Sequence, residues 1–288
     1  MIDAIPGLRG LFSMLHPKAN LQAFLEALYF LRNQRTLILS MASRDIRKRY
    51  AGQILGAFWA IGHPLFQMGV MVFVFAFVFK TRIGGTYEMP MDYIVYILSG
   101  LSAWLSFSPM LSSSSTSVTA NANLIKQFTF DARMLPVTEV VAGALFWLVS
   151  VGVVIIYTLV VHGTLPSTYL LLPVLTAIHF MTALGCAWAL AALSVFLRDI
   201  KDLITLLTTA MMYFLPIVYL PNWVPEMFRP FLLANPFSYM IWVYQDVFYF
   251  GRIEHPWSWL VAGIFAIFMF TSGYRLFRRL QPMFGGVL

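Results

Sequence analysis

Arg44, Arg47, Lys48 and Arg49 put four cations into six positions and stop just before a run from Leu55 to Phe79 that holds no Asp, Glu, Lys or Arg. Such a cluster suits an anionic membrane surface, and the positive-inside rule assigns it to the cytoplasmic end of the segment that follows. A second set of reactive types, Glu226, Asp246, Glu254 and His255, could do acid–base work. Its spacing marks no catalytic constellation, and scattered loop charges are ordinarily solvated. His63 and His179 lie in apolar segments, where a packed histidine competes with a proton relay. Cys186 is the only cysteine, which rules out disulfides and multi-thiolate metal sites within one chain. No G-x-x-x-x-G-K loop followed by Ser or Thr occurs, so the chain has no phosphate cradle of that kind for ATP.

The elements that carry these residues are set by hydropathy. Apolar residues make up 60% of the 288, charged residues only 11%, and the mean hydropathy is +0.77. This is the balance of a polytopic membrane protein, with room for six spans and short loops. Asp3, Pro6, Arg9 and His16-Pro17 interrupt any early signal-peptide core. Leu21, Phe24, Leu25 and Leu28 recur at helical spacing, so residues 20–33 read as an amphipathic helix, and 20–54 as a stretch along the membrane surface. Spans are expected at about 55–79, 93–113, 137–161, 168–197, 203–220 and 257–274, with a polar loop over 80–92 and a Gly84-Gly85 turn. Residues 221–256 are broken by five prolines and dense in aromatics, which suits re-entrant segments in the headgroup region.

On this topology 15 of the 19 Lys and Arg fall on one side, leaving Lys80, Arg82, Arg229 and Arg252 on the other. Both termini are therefore expected in the cytoplasm, and the basicity reads as topological rather than nucleic-acid binding. The span middles hold no Asp, Glu, Lys or Arg, whereas ion-coupled transporters usually keep such groups at mid-membrane. Uphill transport would then draw its energy from a partner docked on a cytoplasmic loop. Residues 121–136 are the leading loop: a short helix there would present Leu124, Ile125 and Phe128 on one face, against the alternative of a plain polar connector.

Arg44-Asp45, Arg49-Tyr50, Leu55-Gly56, Trp59, Pro64, Asn123-Leu124-Ile125, Leu135-Pro136, Arg198-Asp199, Pro216-Ile217-Val218-Tyr219 and Asn235-Pro236 follow one another in an order that resembles the permease subunits of type-2 ABC exporters. Within that class the chain is most similar to permeases for lipid-linked polysaccharide: those of O-antigen and teichoic acid, and more distantly capsule. The resemblance covers about residues 35–280. It implies an all-α integral membrane protein with six transmembrane helices, an N-terminal amphipathic interface helix (within 1–54), re-entrant outer helices over 221–256 and a tail at 281–288. It also implies a homodimer in the bacterial inner membrane, joined by two cytoplasmic ABC ATPase subunits that hold the ATP and Mg. No cofactor is expected on this chain.

The same resemblance implies that 121–136 is the ATPase-coupling loop, with Asn123, Leu124, Ile125, Lys126, Phe128, Asp131 and Arg133 as its contacts. The loop has Phe130-Asp131 where many members of the class have Phe-Pro. The first and fifth spans would line the conduit, giving Trp59, Phe66, Phe73, Phe77, Tyr213, Phe214 and Tyr219 as rings on which sugar faces stack; lipid contact and dimer packing are the competing roles. Met68, Met71, Met211 and Met212 are expected to pack. Arg44, Arg47, Lys48 and Arg49 could recruit a pyrophosphate headgroup, since guanidinium forks match phosphate oxygens. Two other readings stay open: the same class with a drug, haem or small lipid as cargo, and a membrane transferase using the loop carboxylates and His255.

Overall fold

The computed structural model describes residues 17–79, 91–126 and 130–288, and every regular element among them is a helix. The loop over 80–90 with its Gly84-Gly85 turn, residues 1–16 and Phe128 lie outside the described residues. Two helices precede the bundle, α1 (Pro17–Asn33) and α2 (Arg35–Tyr50). Helix α1 has two apolar faces. Ala23, Ala27 and Phe30 are buried against the bundle, and Leu21, Leu25 and Leu28 remain exposed, as a helix lying between protein and lipid requires.

Among the described residues five helices are long and apolar enough to cross a membrane: α3 (Trp59–Val78), α4 (Tyr93–Ser117), α5 (Met134–His162), α6 (Ser167–Ser194) and α9, whose core is Pro256–Leu280. Helix α4 is the axis of the fold, packed against α3, α5, α6 and the segments that follow. Ser99, Ser102, Ser106, Ser114, Ser115 and Ser117 lie buried along it. Most of these hydroxyls return to a carbonyl one turn back, as Ser99 does to Tyr96 O at 2.7 Å and Ser117 to Ser114 O at 2.8 Å. Small side chains with internally satisfied hydroxyls let neighbouring backbones come close without orphaned polar groups. For the same reason α4 runs to Ser117 rather than ending at 113. The Ser112–Ser117 run is a packed helix end, and the next membrane-length helix starts at Met134 rather than 137.

The expected span at 203–220 is where the chain departs most from its hydropathy. Helix α7 (Ile200–Phe214) has 15 residues, about 22 Å at 1.5 Å per residue, short of the roughly 30 Å hydrocarbon core. It ends because Leu215 precedes Pro216 and takes an extended conformation (φ −81°, ψ 149°). Leu215 and Ile217, in the non-helical turn that follows, are buried all the same. Their stretch is made tolerable by side chains that satisfy its carbonyls. Gln245 Nε2 donates to Pro216 O at 2.7 Å, Tyr96 donates to Tyr219 O at 3.0 Å, and Tyr93 donates to Val218 O. Met68 is buried, and Met71, Met211 and Met212 pack against the core.

Residues 221–256 form short turns, a helix Arg229–Ala234, and α8 (Pro236–Gln245), which continues as a wider π-helical turn to Phe250. Asn235 accepts from Phe237 N and caps α8. Phe237 sits against Trp104 and Phe107, halfway along α4, whereas Tyr249 meets Tyr96 at its start. Beyond α9, Gln281–Met283 and Phe284–Val287 form two further turns, and Phe284 is buried against Phe277, so 281–288 is docked rather than a free tail.

Candidate functional site

At the end of the bundle where α4 finishes, the expected coupling loop begins with a single helical turn, Ala122–Ile125. Asn123 and Lys126 are exposed, Leu124 is half-buried, and Ile125 packs on the cluster beneath. Asp131 and Arg133 do something different. The Asp131 carboxylate takes a two-pronged bond from Arg133, Nε to Oδ1 at 2.9 Å and Nη2 to Oδ2 at 2.5 Å. Arg133 Nη1 donates to Tyr274 Oη at 2.7 Å, and its guanidinium lies 4.5 Å from the centre of the Phe30 ring. Trp188 Nε1 donates to Arg133 O at 3.1 Å. The hydrogen bond that the guanidinium donates to Asp131 raises its pKa above an already high value, with burial opposing. One planar cation thus joins the loop to α1 and α9, while its backbone is held by α6. Its inward direction sets it apart from Asn123 and Lys126.

The basic cluster divides in the same way. Arg49 reaches across to Glu139 on α5, Nη2 to Oε2 at 2.6 Å. Arg44, Arg47 and Lys48 stay exposed. Arg35, Thr36, Ser40, Ser43, Arg44 and Arg47 border an open groove of about 610 Å³ on α2. Hydroxyls alternating with guanidinium groups make a surface suited to phosphate oxygens. Glu139, Tyr274, Trp188 and the Glu26–Arg278 ion pair had no marker in the sequence, because each acquires its role from a residue far away in the chain.

The aromatic residues expected to line a conduit fall on the least covered surfaces. Only 11% of α3's most apolar window is buried, against 83% for α4. Trp59, Phe66, Phe73 and Phe77 on α3, and Tyr213 and Phe214 on α7, are exposed. Phe73 and Phe77 form a pair with ring centres 6.5 Å apart. Tyr219 is half-buried and donates to Phe214 O at 2.5 Å, so it props the end of α7 rather than standing free. His63 is exposed beside Phe146. His179 is buried among Phe107, Trp147 and Phe180, with Nδ1 joined to Tyr244 Oη at 2.8 Å. No carboxylate or cation adjoins it among these contacts, which is the setting of a packed histidine.

The acid–base alternative loses its parts. Asp246 is fully buried, and its oxygens are occupied by His255 N at 3.1 Å, His255 Nδ1 at 2.8 Å and Trp259 Nε1 at 2.9 Å. Glu254 pairs with Arg252 at 2.7 Å, and Glu226 is exposed beside Arg229. Among the described residues no group of three His, Cys, Asp or Glu could hold a metal.

Comparison with known proteins places this membrane bundle in a family. Two proteins of Klebsiella pneumoniae named O-antigen export system permease protein RfbA are each 26% identical over 254 residues, covering 88% of this chain and 95% of the relative. One of the same name from Myxococcus xanthus is 27% identical over 222 residues, covering 76% of this chain and 82% of the relative. The model of the ABC-2 type transporter family matches residues 36–249, from the basic helix through α8, and this multi-pass membrane chain therefore belongs to that family of transport subunits.

Proposed function

We propose that the chain is the permease subunit of an ATP-driven exporter that carries a lipid-linked polysaccharide, of the O-antigen kind, from the cytoplasmic to the outer face of the bacterial inner membrane. The observation that carries this reading is the alignment with permeases named for O-antigen export over 88% of the chain. The uncharged, aromatic flank supports it, since rings offer many equivalent resting places to a sliding sugar chain. In this reading two copies face each other through α3 and α7, and two ABC ATPase subunits supply ATP and Mg. Asn123, Leu124, Ile125, Lys126 and Phe128 form the docking surface, while Asp131 and Arg133 position it.

Six crossings follow if α7 and its non-helical continuation count as one. Thr208 O accepts from Trp104, and Tyr219 O from Tyr96, so this segment climbs alongside α4 towards its start. The chain then dips to the level of Trp104 at Phe237 and returns to Tyr96 at Tyr249, a re-entrant course. Both termini lie on the cytoplasmic side with the basic helices.

A strain lacking the chain is expected to accumulate lipid-linked polymer inside the cell and to lose surface glycan; normal surface glycan would refute the export reading. The groove on α2 gives a second test. The triple variant Arg44→Gln, Arg47→Gln, Lys48→Gln is expected to slow export about tenfold, equivalent to about 1.4 kcal/mol, while the complex still assembles. An unchanged export rate would leave these cations as membrane anchors only.

A further inference from the structure

At the opposite end of the bundle from the basic helices, the re-entrant segment and the start of α9 enclose a cavity of about 550 Å³, within the range of about 300–1,000 Å³ usual for small-molecule sites. Tyr96, Tyr239, Trp242, Phe250 and Trp257 contribute aromatic walls. His255 completes them: its ring stacks on Trp242 with centres 5.7 Å apart and planes 11° from parallel. Asp246 holds that stack in place through its bonds to His255, so the cavity wall is built rather than accidental.

Two lining residues carry unmet hydrogen-bonding capacity. Trp242 is 5% exposed and Gln245 1%. Among the described residues Trp242 Nε1 and Gln245 Oε1 have no partner. Buried polar atoms are nearly always paired in native proteins, so an orphaned donor and an orphaned acceptor, sealed within two residues of the cavity wall, point to a ligand that both accepts and donates. A hydroxyl does both. An acyl chain would satisfy neither. An anionic headgroup is equally unsuited, because Arg252, the only Lys or Arg lining the cavity among the described residues, is already bound to Glu254 and the Asp246 carboxylate lies just beneath His255. Flat apolar rings beside hydroxyl-seeking polar atoms, with no free charge, match the C–H face and equatorial hydroxyls of a neutral sugar.

We infer that this cavity is a binding site for neutral sugar units, separate from the exposed aromatic flank of α3 and α7. The inference rests on the export reading and gives the exporter a second glycan contact, at the outer end in the proposed orientation. A sugar held there would be handed on from the conduit and hindered from slipping back between ATP cycles.

The test uses the permease–ATPase complex in nanodiscs and, as probe, the lipid-free oligosaccharide released by mild acid from the host's surface glycan. Saturation-transfer NMR is expected to show binding that weakens about tenfold in Trp257→Ala, at the open rim, and in Trp242→Phe, which keeps the ring and removes the donor. Leu148→Ala, on the exposed side of α5, should bind like the wild type. Equal binding by all four proteins would overturn the proposal, as would displacement of the oligosaccharide by glycerol phosphate. A wild-type chain that restores surface glycan to the deletion strain yet shows no Trp257-dependent binding overturns the cavity alone. A wild-type chain that restores no glycan overturns the export reading itself.

Discussion

Replacing Gly185 by leucine is expected to cost the bundle about 3 kcal/mol, the upper part of the range for overpacked interiors. The midpoint of thermal unfolding in detergent should fall by about 6–10 °C. Helices α6 and α9 make the most extensive packing in the molecule, and they do so at backbone contact. A Cβ on Gly185 would run into the Met269–Phe270 peptide, and one on Gly273 would meet the Gly185 carbonyl. Neither obstacle is a flexible side-chain end, so one helix would have to move. In lipid no water is expelled when two helices meet, and association depends on close dispersion contacts that a small displacement forfeits. Trp188 on α6 already meets Phe270 and Tyr274 on α9 edge-on, and all three rings are buried, so a displaced helix would forfeit these contacts too. Gly263 on α9 is the control, because a Cβ there meets nothing within 4 Å. Unfolding midpoints of the two leucine variants, followed by fluorescence-detected size exclusion, should separate clearly. Equal midpoints would show that the α6–α9 contact is not what the glycine serves.

That seam also marks a limit on what could be read from the residues alone. Long apolar runs were legible because lipid obliges a crossing segment to satisfy its own backbone, which makes uncharged length a direct signal. The signal fails where apolar composition serves two conformations. Leu215, Pro216 and Ile217 are as apolar as the helix before them, yet they leave the helix and turn, and Gln245, Tyr93 and Tyr96 supply donors to the carbonyls of this stretch from elsewhere. Pro216 carried the warning, and hydropathy outvoted it. The Ser112–Ser117 run was legible as small residues that permit close helix approach at a span end, and only the end at 113 was set too early, because hydroxyls bonded within the helix behave as small packing residues. At the candidate site the exposed rings of α3 and α7 could be proposed from type and spacing. The inward turn of Arg49 and Arg133 could not. A cation looks the same in sequence whether it meets solvent, phosphate or a carboxylate 90 residues away, and only the fold decides that Arg49 meets Glu139.

Arg133→Ala is the other change expected to have a large effect, and its effect should divide between stability and coupling. The guanidinium makes three kinds of contact at once: the fork to Asp131, the bond to Tyr274 and the stack on Phe30. Charge-assisted bonds contribute about 1.5–3 kcal/mol and a partly desolvated cation–ring contact about 1 kcal/mol. The Arg133 side chain remains 25% exposed, so solvent screening reduces the total to about 2 kcal/mol. Lysine keeps the charge but has no planar fork, and it can hold Asp131 or Tyr274 but not both in the present geometry. Tyr274→Phe removes a single bond. Unfolding midpoints should therefore fall most for Arg133→Ala, less for Arg133→Lys and least for Tyr274→Phe. The double variant Asp131→Ala, Arg133→Ala should lose less than the sum of its parts, since both report one interaction. Coupling supplies a readout that a purely structural role would not move. If the Ala122–Ile125 turn seats in the ATPase, Arg133 is the joint through which its displacement reaches α9 and α1. Arg133→Ala should then keep an assembled complex that hydrolyses ATP in nanodiscs while export falls about tenfold or more, and lysine should restore part of it. ATPase activity and export lost together, in step with the amount of assembled complex, would reduce Arg133 to a packing residue.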